Sequence, residues 1–312
     1  MYAIGTFARE DEPPFPGLVI DRESVVDLSG YGWRDTNQIL NGWRAAEAAI
    51  DGIADGRGDI RLEELRTLAP LQPRQILQSG ANYRRHVIDL VVAEEAERGV
   101  LAPEEARLLG AKIMDERAAG EPYIFLGAAS AVTGPYDHVV LPTRGEQHDW
   151  ELELAAVIGL GGRHIRKDQA LEHVAGYTIA NDLTTRDLVY RPDLAAIGSD
   201  WLRSKNAPTF LPLGPWIVPA RFVDDPQQLR IQLSVGGELM QDESTADMIF
   251  DVATLVSYAS SLVTLHPGDV ILTGSPAGNG MHHRRFLRAG DVIDAAITGL
   301  GAQRNICVSE SR

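Results

Sequence analysis

The sequence predicts an α+β protein, predominantly β, with a small N-terminal domain. Three observations point there. Short apolar segments recur along the chain, and most of them end in glycine turns. Long stretches with helical spacing are few. Pro70 and Pro73 mark a boundary, giving a domain over residues 1–72 and a larger one over 73–312.

In the N-terminal unit, residues 2–7 and 18–20 are short apolar segments, and the acidic, proline-rich run 11–17 between them is turn chemistry. Residues 35–50 have helical spacing, with Ile39, Leu40, Trp43 and Ala46 on one side. Residues 60–68 are another short segment before the prolines. Beyond them, 75–80 reads as a strand running into a turn. From there to about Ala119 the composition is helical, and Pro103 suits the first turn of a second helix, where its missing N–H does no harm. Strand character resumes at 122–126 and 139–142. Residues 148–159 have the composition of a buried strand closing on Gly159. Asp168 starts a short helix that Gly176 stops, and 177–180 is a strand running into Asn181 and Asp182. Residues 201–210 form a loop carrying Lys205. Residues 217–219 and 229–235 are strands, and Gly236 and Gly237 signal a hairpin. Ser244 or Thr245 can cap a helix over about 246–262. A strand at 270–273 enters the glycine turn 274–278, and 291–297 and 303–308 close the chain as strands.

Composition bounds the function. The 312 residues carry a formal net charge of −15, which argues against nucleic acid or an anionic membrane as partner but not against a small anionic substrate. No apolar run approaches the roughly 20 residues of a membrane span. The first residues lack the pattern of a signal peptide, and one cysteine, Cys307, permits no internal disulfide; a cytoplasmic location is expected.

The stretch at 148–159 is fit for burial, yet it holds two glutamates. Side chains alternate along a strand, so Glu151 and Glu153 share a face, while Trp150, Leu152 and Leu154 turn the other way, toward a core. Two close carboxylates repel and resist desolvation. Either a divalent cation joins them or the strand is a wet edge; the stretch alone leaves both open. Asp182, at another strand end, is a third carboxylate. A hard dication takes oxygen ligands, and three carboxylates leave about three of six octahedral positions free. His86 and Asp89, three apart, are neighbours on one helix face, or simply a solvated pair.

Several segments together resemble the fumarylacetoacetate hydrolase family over about residues 75–308. They are Asn82-Tyr83-x-x-His86-x-x-Asp89; Glu151-x-Glu153; a run from Gly176 through Asn181-Asp182 to Arg186-Asp187; Lys205-x-x-x-Thr209; a run from Gln241 to Phe250; and a run from Gly268 to Gly278. The resemblance implies a mixed β-roll core with peripheral helices and a homodimer. It also implies Mg²⁺ or Mn²⁺ held by Glu151, Glu153 and Asp182. It implies cleavage of the C–C bond of an acylpyruvate or other 2,4-diketo acid, with water attacking the distal carbonyl and a pyruvate enolate leaving. His86 is then the general base and Asp89 its orienting acid, where the family more often has the longer Glu. Lys205 stabilises developing negative charge. Arg186 pairs with a substrate carboxylate or within the fold. Tyr83, Thr209, Gln241, Thr273, Gly274 and Ser275 are the remaining pocket candidates. The acidic helical stretch at about 84–120 is longer than in compact members and is expected to act as a lid. His282 and His283 read as part of a solvated basic loop. The same metal site also suits the family's oxaloacetate-type decarboxylases and keto–enol isomerases, which need the enolate but no attacking water.

Overall fold

A computed structural model describes residues 1–56, 58–196 and 198–311. The N-terminal strands are β1 (Tyr2–Ala8), β2 (Phe15–Ile20), β3 (Ser24–Asp27), β4 (Ile60–Arg61) and β5 (Arg66–Leu68), with helices α1 (Thr36–Asn41) and α2 (Trp43–Ala54) between β3 and β4. Then follow β6 (Ile76–Ser79), α3 (Arg84–Arg98), α4 (Pro103–Ala118), β7 (Ile124–Gly127), β8 (Val132–Thr133), β9 (Val139–Leu141), β10 (His148–Asp149), β11 (Leu152–Ile158), β12 (Val174–Asn181) and β13 (Thr184–Thr185). The last part holds α5 (Trp201–Lys205), β14 (Leu211–Pro219), β15 (Arg230–Val235), β16 (Glu238–Ser244), α6 (Val252–Leu262), β17 (Val270–Leu272), α7 (Gly280–His283), β18 (Val292–Ile297) and β19 (Gly301–Ser309).

One large sheet runs β4-β3-β2-β1-β14-β12-β11-β17-β6-β7, with β5 beside β1 and β8 beside β14. A second runs β16-β15-β18-β19-β9, and β10 pairs β13. Both larger sheets are mixed: β6–β17, β8–β14 and β9–β19 are parallel, and the other pairs antiparallel. The expected α+β fold with mixed sheets and peripheral helices is what the chain adopts.

The strand β11 is central, between β12 and β17, and every residue of it is buried. The wet-edge alternative is therefore excluded. Alternation sends its side chains to two different cores. Leu152, Leu154, Ala156 and Ile158 join Trp150 in one, with the inner faces of the second sheet and α6. Ala155 and Val157 join the other. That second core is completed by Ile39, Leu40, Trp43 and Ile50 from α1 and α2. The apolar stripe read at 35–50 thus packs further along the face of the strand that carries Glu151 and Glu153, and β1 extends the same sheet through Ile4 opposite Ile217.

Other local readings shift. The helix expected over 35–50 is two, divided at Gly42. The helix expected from Ala246 begins at Val252. Asp251 caps it by accepting from Thr254 N–H, while Ser244 caps only a single 3-10 turn, Thr245–Asp247. The short helix at Asp168 is also of 3-10 type, Lys167–His173. The α3–α4 hairpin matches the expected helical stretch, with Pro103 opening α4; the side chains of Leu90, Ala93, Glu94 and Glu97 lie outside the described set. Among the described residues no helix is long and apolar enough to cross a membrane.

Candidate metal centre and active site

The antiparallel register sets the centre. Leu152 pairs with Asn181. Just beyond, Asp182 N–H donates to the Glu151 carbonyl at 2.9 Å and Glu151 N–H donates to Asn181 Oδ1 at 2.9 Å. Two strand ends therefore deliver Glu151, Glu153 and Asp182 to one spot. Each offers an oxygen, and these lie within 4.8 Å of one another, all three residues buried. Asp149, two residues before Glu151, adds a fourth buried carboxylate.

Two cations and two neutral donors answer them. The Lys205 ammonium, on the last turn of α5 and 4% exposed, donates to Glu151 Oε2 at 2.5 Å, Asp182 Oδ2 at 2.7 Å and Thr184 Oγ1 at 2.7 Å. Arg186 spans Asp149 Oδ2 at 2.7 Å and Glu151 Oε1 at 2.5 Å. Gln78 of β6 donates to Asp182 Oδ1 at 2.6 Å, and Gly274 N–H donates to Glu153 Oε2 at 2.6 Å. Gly274 is required there: its φ is +92°, and a Cβ would come within 2.9 Å of Asn82 Cβ.

Four carboxylates against Lys205 and Arg186 leave a formal surplus of two negative charges. Burial raises the Glu153 carboxyl well above the usual range, and Asp182 and Glu151 reinforce it. Burial likewise pushes Asp182 up to about 6 despite Lys205. Glu151 goes the other way: burial opposes ionisation, but Arg186 and Lys205 outweigh it and hold the carboxyl down to about 2. Without a further positive charge, then, Glu153 takes up a proton, and Asp182 does so as pH falls through about 6; a dication removes the need. An all-oxygen donor set with a surplus of two negative charges fits Mg²⁺ or Mn²⁺.

The centre floors a cavity of about 180 Å³. His86 lines it, as do Arg186, Lys205 and Ser275, so four residues expected from the sequence meet the triad there. Burial, reinforced by His282, lowers the His86 imidazole to about 3, so it is neutral. Phe125 of β7 and Trp201 of α5 form one wall, their rings stacked with centroids 4.9 Å apart. Trp201 Nε1–H donates to Tyr123 Oη at 2.8 Å, which fixes the indole.

The other expected residues lie elsewhere. Asp89 forms no hydrogen bond with His86 among the described residues; its carboxylate faces Arg85 at 3.7 Å and Arg107 at 3.9 Å. Asp is too short to turn back across the helix while those arginines hold it. Arg186 takes the structural option, bound within the fold. Thr209 lies outside the cavity lining; its Oγ1 accepts from Val140 N–H at 2.7 Å. Tyr83 is wholly buried in the main core. Gln241 stands behind the wall, donating to Ser275 Oγ and the Pro276 carbonyl and accepting from Leu152 N–H. Thr273 is likewise behind it, its Oγ1 on the Leu154 carbonyl at 2.9 Å. Sequence reasoning missed Asp149, Gln78, Phe125 and Trp201. Asp149 had a readable signal, because it continues the every-second-residue acidic run.

With this geometry in hand, the comparisons are specific. A family model described as fumarylacetoacetate (FAA) hydrolase C-terminal matches residues 75–308. A mitochondrial oxaloacetate tautomerase of Xenopus laevis is 34% identical over 308 residues, covering 96% of this chain and 88% of that protein. A 2,4-didehydro-3-deoxy-L-rhamnonate hydrolase of Sphingomonas sp. (strain SKA58) is 35% identical over 293 residues, covering 93% and 90%. Among solved structures, a maleylpyruvate hydrolase of Sphingobium sp. SYK-6, in complex with manganese (II) ion and pyruvate, aligns over 100% of both chains with a TM-score of 0.75 at 26% identity. The ordered motifs, the buried carboxylate triad and these likenesses agree: the chain belongs to the fumarylacetoacetate hydrolase family of hydrolases and related enzymes.

Proposed function

We propose that this enzyme is a divalent-cation-dependent keto–enol tautomerase of small 2-oxo dicarboxylic acids of the oxaloacetate class. The observation that carries this is His86. It presents a neutral imidazole to the cavity, and among the described residues no carboxylate is hydrogen-bonded behind it to strengthen it as a base toward water. Tautomerisation needs only a proton moved between carbon and oxygen; hydrolysis also needs an activated water. A cavity of about 180 Å³ walled by Phe125 and Trp201 favours a short acid over one with a long acyl arm. The similarity to oxaloacetate tautomerases supports the same reading.

In this reading Glu151, Glu153 and Asp182 hold Mg²⁺ or Mn²⁺, which when bound supplies Lewis-acid polarisation of the 2-oxo group. Lys205, already within 2.5–2.7 Å of two of those carboxylates, places an ammonium beside the oxygens where negative charge gathers. His86 carries the proton between the carbon next to the carbonyl and the enol oxygen. The aromatic wall limits water.

C–C hydrolysis of an acylpyruvate is the second reading, supported by the likeness to the rhamnonate hydrolase. One experiment separates them. Enol oxaloacetate and a panel of acylpyruvates are offered with Mg²⁺ or Mn²⁺, following enol absorbance and pyruvate release. Cation-dependent loss of the enol without pyruvate release from the acylpyruvates is expected. Pyruvate release with no acceleration of ketonisation would replace the proposal with the hydrolase.

A further inference from the structure

Asp149 continues the acidic run of Glu151 and Glu153 but does not join them. Between Asp149 and Leu152 the chain changes partner: Asp149 pairs with Thr184 on β13, whereas Leu152 pairs with Asn181 on β12. The wholly buried Asp149 carboxylate is claimed instead by three N–H groups. Its Oδ1 accepts from Trp150 N–H at 2.8 Å and from Gly280 N–H, at the start of α7, at 2.5 Å. Its Oδ2 accepts from Arg186 Nε–H at 2.7 Å. Glycine lets α7 come so near, because a Cβ at Gly280 would stand 2.7 Å from Oδ1. Three donors aimed at one side chain, one of them cationic, favour its charged form.

The place of Asp149 decides what Arg186 can do. The guanidinium lies between two carboxylates, with Nε on Asp149 and Nη2 on Glu151 Oε1 at 2.5 Å. Glu151 is also held through its other oxygen, Oε2, by Lys205 at 2.5 Å. Two cations therefore already meet this one member of the triad. Without the Asp149 charge, Arg186 would have Glu151 as its one carboxylate and would compete with a dication for it. The surplus of two negative charges would fall to one. Removing the Arg186 charge as well would bring the surplus back to two. These groups are buried, so salt screens them little and the balance is felt at the triad.

We propose that Asp149 is a positioning residue of the metal centre: by sharing Arg186 with Glu151, it keeps enough negative charge on the triad to hold a dication. This rests on the metal centre of the proposed function. Asp149 acts through Arg186 and is not itself a ligand.

The test is Mn²⁺ binding in the absence of substrate, followed at neutral pH by the electron paramagnetic resonance signal of free Mn²⁺. Asp149→Asn keeps the shape and removes the charge. It is expected to weaken binding on the order of 10–100-fold, as loss of a group behind a metal ligand does. Arg186→Gln should bind at least as tightly as the wild type. The double variant, Asp149→Asn with Arg186→Gln, should return to wild-type affinity, a rescue that a mere packing role for Asp149 would not give. Undiminished binding by Asp149→Asn would overturn the inference, as would weakened binding by Arg186→Gln or a folded double variant as weak as Asp149→Asn. Should Asp149→Asn fail to fold, the double variant, which loses both members of the ion pair, decides against the wild type alone. A wild type that binds no Mn²⁺ would sink the metal centre and this inference together. A wild type that binds, with variants that break the expected order, would sink the inference alone.

Discussion

At the scale of single residues, the centre is a problem in charge balance, and two substitutions should pull it in different directions. In metal-free protein at neutral pH, Glu153→Gln is expected to leave the melting temperature little changed, because burial and the neighbouring carboxylates already favour its protonated form. It should nevertheless abolish the rise that Mg²⁺ or Mn²⁺ gives. Lys205→Met is expected to do the reverse to the metal-free protein. It strands Glu151 and Asp182 without their counter-charge, at a cost of about 3–5 kcal/mol in urea unfolding. With saturating cation its kcat should fall about 10²–10³-fold. A Lys205→Met protein as stable as the wild type would contradict the ion pairs drawn here. The contrast also shows what was legible in the sequence. Glu151 and Glu153 could be read because strand periodicity is local. Gln78 could not: it meets Asp182 only because β6 lies parallel to β17, with Gln78 opposite Leu272, a pairing of distant segments. His282 read as solvated because nothing nearby in the chain announces His86.

At the scale of elements, the misplaced start of α6 has a physical cause. Ser244 and Asp251 both have cap chemistry, and local rules cannot rank them. Asn82 decides. Its Oδ1 accepts from Phe250 N–H at 2.9 Å, and its Nδ2 donates to the carbonyls of Phe250 at 2.9 Å and Thr273 at 2.8 Å. Ile249 N–H donates to the Asn82 carbonyl at 2.8 Å. Residues 248–250 are thereby held out of the helix, which waits for Asp251. The same side chain ties the root of α3 to the turn that presents Gly274 to Glu153. Asn82→Ala should therefore cost about 3 kcal/mol in urea unfolding, since its loss leaves buried backbone groups unpaired. An Asn82→Asp variant should fare no better, because a carboxylate cannot donate to two carbonyls. A loss under 1 kcal/mol for Asn82→Ala would show that water replaces those bonds. Most strand segments, by contrast, were readable in place, as was the hairpin of α3 and α4, whose break at Pro103 is a covalent property of proline.

At the scale of the molecule, protons and cations compete for one set of oxygens. Asp182 has a folded-state value of about 6, raised above that of an unfolded carboxylate by burial. Between roughly pH 4 and 6 the folded protein keeps a proton there that the unfolded chain has released, so the Asp182 contribution to metal-free stability falls as pH rises through that window. The gain in melting temperature on adding Mg²⁺ or Mn²⁺ should grow across the same window. Thermal melts at pH 5 and pH 7, with chelator and with cation, measure both. A cation increment that shrinks on going from pH 5 to pH 7 would refute the shared site. The overall layering was only partly legible. The apolar stripe at 35–50 could be read, but not that α1 and α2 pack on the same face of β11 as its glutamates, because such a stripe states that it is buried and not against what.

That packing has a kinetic meaning. β11 is hydrogen-bonded on both edges and packed against a core on both faces, so it has no frayed end. Its amide protons exchange with solvent only through the largest openings of the structure. Ions and substrate are therefore expected to reach the centre through the cavity lined by α3, β7 and α5, while the strand remains a fixed floor.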